Sequence, residues 1–149
     1  MKAKGYNKHA QEEIQEEVNK LTDEEINEIV ELVLKLDAEN VGSMIEYAQK
    51  LAEILKQGGI STSKLRDFYD YVVRIKESKT ENWYLKLMLL KPRIVYNIGK
   101  EGDKRKRKAL EKFFKVIDKI LNEMEKNNYK HFENFLTFFE AVVAYHKFL

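Results

Sequence analysis

Apolar residues recur at helical spacing through most of the chain. Ile26, Ile29, Val30, Val33 and Leu36 step by three and four, which sets them on one face of a helix. Just ahead, Thr22-Asp-Glu-Glu25 has the form of a capping box: the threonine hydroxyl accepts from the third N–H and the glutamate reaches back. Asp37 to Asn40 is a break. A second helix is predicted from Val41, Met44, Ile45, Ala48, Leu51, Ala52 and Leu55, and Gly58-Gly59 marks its end. Ile60-Ser-Thr-Ser63 is a start signal, with a hydroxyl cap behind an apolar residue. Leu65, Phe68, Tyr69, Val72 and Ile75 form the apolar face of the helix that follows. Leu110, Phe113, Phe114, Ile117, Ile120, Leu121 and Met124 give another regular face, and Asn127-Asn128 breaks it. Residues 130–148 carry Phe132, Phe135, Leu136, Phe138, Phe139, Val142, Val143 and Tyr145 around most of a helix, leaving Glu133, Thr137, Glu140, Ala144 and Lys147 as a polar or small stripe. No stretch alternates at strand period. The pattern predicts an all-α fold, a compact single-domain bundle of about five or six helices with short connections.

Trp83 to Gly99 is the most apolar stretch. Between Trp83 and Leu90 only Lys86 is charged, and a helix apolar nearly all round requires cover on several sides. It is therefore expected at the centre of the bundle. Asn82, Lys86, Arg93, Asn97 and Lys100 fall on one stripe, with Leu90 filling the gap. Pro92 biases Lys91 away from helical angles, so the stretch reads as two short helices or one kinked helix.

Charge changes the picture from fold to partner. The 149 residues carry a net charge of only +2, but residues 1–60 are at −6 and residues 86–119 at +8. An acidic first third and a basic middle point to an anion-binding surface, nucleic acid first; the ordinary alternative is a solvated helical surface with uneven charge. Lys104-Arg-Lys-Arg-Lys108 is a run of five cations, and Lys108, Lys112, Lys115 and Lys119 continue from it as a stripe on one helical face. Arg66, Asp70 and Arg74 stand at four-residue spacing, where a surface ion-pair ladder is the ordinary reading. Ala10 to Lys20 is very acidic, with Ile14 and Val18 four apart, and reads as a short surface helix. No apolar run reaches the roughly 18 residues of a membrane span, and the first residues lack a signal-peptide core. The expectation is a soluble, cytoplasmic protein with no membrane partner.

Catalytic chemistry is hard to assemble from these residues. Cysteine is absent, which removes thiolate nucleophiles and Cys-ligated metals. His9, His131 and His146 belong to no HExxH or other close ligand cluster, and His146 reads as a rim or core histidine. The glycines form no phosphate-cradling loop. No cofactor, metal or catalytic residue is expected. Most aromatic residues fall on core positions; Tyr96 and Tyr145, which flank polar positions, are the better surface candidates for stacking on bases. Contact with nucleic acid is expected to be electrostatic and blind to sequence.

Four blocks carry a family resemblance: Ile60-Ser-Thr-Ser-Lys-Leu-Arg-Asp-Phe-Tyr69, Val73-Arg-Ile-Lys76, Leu90-Lys-Pro-Arg-Ile-Val-Tyr96 and Phe138-Phe-Glu-Ala-Val-Val-Ala-Tyr-His-Lys147. In order and spacing they resemble the small subunit of the type III-A CRISPR effector, the Csm complex, over about residues 41–148. On this division residues 1–37 are an acidic, partly helical N-terminal extension and residues 38–149 the helical small-subunit domain.

The resemblance implies a non-catalytic, all-helical subunit of an antiviral ribonucleoprotein. Several copies would stack as a filament along the guide RNA–target RNA duplex, beside the backbone and large subunits, and contact mainly the target strand. Base pairing would read the sequence, leaving the small subunit a sequence-blind basic groove. The basic residues inside the matching blocks, Lys64, Arg66, Arg74, Lys91 and Arg93, are those the resemblance marks for RNA. Lys108, Lys112, Lys115 and Lys119 lie between blocks and join the RNA-binding set on charge alone. The alternative is a helical protein–protein adaptor whose basic face binds an acidic partner.

Overall fold

Residues 21–149 are described by a computed structural model, and within them every regular element is helical. The acidic segment Ala10–Lys20 and His9 lie outside the described residues. Seven helical segments follow in order: α1 Asp23–Leu34, α2 Val41–Gln57, α3 Thr62–Ser78, α4 Trp83–Met88, α5 Leu90–Lys100, α6 Lys104–Glu123 and α7 Tyr129–Phe148. Since α4 and α5 abut at Leu89, the bundle agrees with the expected all-α architecture.

The start and stop signals act as their chemistry requires. Glu25 N donates to Thr22 Oγ1 and Thr22 N to Glu25 Oε1, each at 3.1 Å, closing the capping box of α1. Asp37 and Asn40 hold the break that follows, with Asp37 Oδ1 accepting from Asn40 N at 2.8 Å and Asn40 Oδ1 from Asp37 N at 2.9 Å. At the end of α2, Gly59 takes φ +85, a left-handed angle that favours glycine. There Ile60 N donates to Leu55 O and Gly59 N to Lys56 O, a Schellman pair that satisfies two terminal carbonyls. Ser61 then caps α3 by accepting from Lys64 N.

The hub is α7. Phe132, Phe135, Phe138, Phe139 and Val142 are buried, and α7 packs against α1, α2 and α3. Phe139 meets Phe113 of α6, Phe135, and Tyr69 of α3 at ring-centroid distances of 5.6–6.0 Å. Each such ring removes a large apolar area from water, and edge-to-face packing adds to that gain. His146 lies inside as well. Its Nε2–H donates to Ile60 O at 2.9 Å, and Nδ1 accepts from the Thr62 hydroxyl at 3.0 Å, tying the end of α7 to the start of α3.

The Trp83–Gly99 stretch is not the centre. Only Leu87, Leu90 and Ile94 of α4 and α5 are buried, against α3 and α6. Leu85, Leu89, Val95 and Tyr96 are 61%, 48%, 49% and 69% exposed. The stretch carries two apolar stripes, one turned inward and one outward, and composition alone does not distinguish an exposed stripe from a buried one. The break also falls at Leu89, whose N–H is shared between Leu85 O and Lys86 O. Pro92 occupies the first turn of α5, where a helix leaves its N–H groups unpaired and proline is tolerated. Leu90, expected to fill a gap in the polar stripe, lies in the core.

Candidate nucleic-acid interface

Two short connections place α5 beside α3. Between them runs an open groove of about 750 Å3. Lys64 and Arg74 of α3, Leu89, and Arg93, Tyr96 and Lys100 of α5 line it. Asp67 and Asp70 also line it, so the groove carries both signs with cations in excess.

Its most ordered feature is a stacked pair. The Tyr71 hydroxyl donates to Lys86 O at 2.5 Å, fixing the ring between α3 and α4. The Arg93 guanidinium lies 4.2 Å from the centroid of that ring, a cation–π contact that favours a planar cation. Arg93 is thereby positioned while its charge stays at the surface. Two turns further along α5, Lys100 Nζ lies 5.2 Å from the centroid of the exposed Tyr96 ring.

The other basic residues are distributed differently. Arg66 is exposed on α3 and does not line the groove. No ion pair joins Arg66, Asp70 and Arg74 among the described residues, so the expected ladder does not form. Lys91 turns the opposite way from Arg93: it pairs with Asp118 of α6 at 3.2 Å and hydrogen-bonds Asn122. The lysine stripe is also partly engaged within the chain. Lys115 pairs with Asp23 at 2.6 Å, and with Lys112 it lines a small pocket beside the start of α1. Lys108 is exposed and Lys119 half-buried. Ahead of the stripe, Asp103 caps α6 by accepting from Lys106 N at 3.0 Å, and that bond holds its carboxyl below the usual range. The run Lys104–Lys108 thus forms the first turn of a helix, exposed throughout. The surface candidates separate as well: Tyr96 is open to solvent, whereas Tyr145 is half-buried against the core.

Lys100 is the groove cation absent from the predicted set. It closes the stripe of Arg93 and Asn97, and this periodicity was the available signal. Tyr71 and its grip on Arg93 had none, because the pair joins residues on two helices.

The family model for Csm2 of type III-A matches residues 38–149. The chain belongs to the Csm2 type III-A family. It is therefore a small subunit of the type III-A CRISPR complex, and the four blocks that resembled that subunit fall within the matched range. Helix α1 precedes that range, yet Ile26, Ile29, Val30 and Val33 are buried against the same bundle. Comparison with curated proteins and with solved structures gave no match. No helix among the described residues is long and apolar enough to cross a membrane.

Proposed function

We propose that this small subunit is non-catalytic, acts in the cytoplasm, and stacks in several copies along the guide–target duplex. In this reading it holds target RNA by its backbone through basic residues, beside the backbone and large subunits. The observation that carries this is the convergence of Lys64, Arg74, Arg93 and Lys100 on one groove, all inside the family-matched range. Such cations neutralise phosphates without reading bases, which suits a complex whose guide reads the sequence. The lysine stripe is the second candidate surface, weakened by the Lys115–Asp23 pair.

The test uses the reconstituted complex. One variant replaces Lys64, Arg74 and Arg93 with alanine, and another replaces Lys108, Lys112, Lys115 and Lys119. Target-RNA affinity is measured at several salt concentrations. Loss of each phosphate contact lowers the log–log salt slope by about one and weakens all target sequences alike. The groove variant is expected to show the larger change. If neither shifts affinity or slope, the RNA-backbone reading fails and the adaptor with an acidic protein partner replaces it.

A further inference from the structure

The groove holds more than charge. A phosphate-only surface needs no exposed ring, yet Tyr96, which lines this groove, is 69% exposed. Lys100 accompanies that ring at 5.2 Å, and Arg93 is held nearby by Tyr71. Leu89 and Pro92 continue the apolar wall along α5 on the side of Tyr96, at spacings of three and four. An exposed aromatic ring flanked by cations is the arrangement on which single-stranded nucleic acids place their bases, every base having a π-face to offer. Cations beside the ring then meet the phosphates on either side.

Resting on the RNA reading above, we propose that the α3–α5 groove takes an unpaired, splayed nucleotide of the RNA strand. Its base stacks on Tyr96, and Arg93 and Lys100 meet the flanking phosphates. The ligand is single-stranded RNA of any sequence, not the uninterrupted duplex, whose bases have no free face. Two features favour this occupant over an acidic peptide. The exposed Tyr96 ring suits stacking on a flat partner, and the groove takes cations from both α3 and α5.

Full-length protein is titrated at low salt with a short single-stranded RNA, and separately with a strand of equal length lacking its bases. Tyr96→Ala is expected to weaken binding of intact RNA about tenfold while leaving the salt slope unchanged. The same change should leave binding of the abasic strand unaltered. Tyr96→Trp should retain or improve binding of intact RNA. Arg93→Ala should weaken both strands and lower the slope by about one. Tyr96 is exposed, so circular dichroism should show its variants folded. The stacking site is wrong if Tyr96→Ala affects both strands equally or neither. In that event a slope still lowered by Arg93→Ala preserves the phosphate reading. Absence of low-salt binding by the parent protein overturns the site. So does a result in which Tyr96→Ala abolishes self-association instead of RNA binding, which would make the groove an interface between copies.

Discussion

At the residue scale, two positions show how closely single side chains are constrained. A Cβ at Gly58 would lie 2.3 Å from the Ala109 Cβ, because α2 ends directly against α6. Gly58 has φ −72, so alanine is admissible for the backbone and the conflict is one of packing. Gly58→Ala is therefore expected to cost about 1–3 kcal/mol in urea unfolding, and Ala109→Gly in the same chain should recover part of it. His146 offers a test in pH. Burial lowers its pKa below the ordinary 6.5, outweighing the bond to Ile60 O, which raises it. The unfolded chain then takes up the proton before the folded one. The stabilising contribution is complete above about pH 6.5 and is lost as pH falls from there through the depressed folded value. Urea midpoints should decline across that window, and His146→Leu should flatten the decline. The same variant should be less stable than the parent at neutral pH, since it leaves Ile60 O without its buried donor.

At the element scale, α4 and α5 divide into two faces with opposite demands. Leu87 is fully buried against its neighbours, whereas Leu89, two residues on, is 48% exposed. Leu87→Asp places an unpaired carboxylate in the core and should unfold the domain. Leu89→Asp should stay folded and melt within a few degrees of the parent. Thermal melts of the two variants check this directly, and equal destabilisation would contradict the two-faced packing. Trp83 contributes to holding α4 in place, its ring packing edge-on to Tyr129 and Phe132 of α7 at 5.5 and 5.4 Å. The exposed row from Leu85 to Tyr96 is thus carried on an anchored support, as a contact surface requires.

At the scale of the whole molecule, the uneven charge sets the expectation for association. Residues 1–60 carry −6 and residues 86–119 carry +8, so copies can approach head to tail through weak, screened attraction. The isolated protein is expected to be monomeric or weakly dimeric, with stacking in the presence of the guide-bound backbone. Sedimentation across a range of salt concentrations checks it; a tight dimer indifferent to salt would exclude assembly by charge.

Helix order, the caps at Thr22 and Ser61, the Gly58-Gly59 stop and the apolar face of α6 were legible in the sequence because each rests on residues a few positions apart. The family was legible too, through short blocks whose order survives in one dimension. Tertiary structure alone decided which apolar stretch lies at the centre. Sequence favoured Trp83–Gly99, but the bundle closes around α7, because a stripe has no inside until a second helix covers one of its sides. It also decided which cations stay available. Lys91 and Arg93 are two residues apart, yet one is held by Asp118 across the bundle and the other stacks on Tyr71 in the groove. Local spacing fixes the face a side chain occupies on its own helix; the partner that meets that face is set by helices distant in the chain.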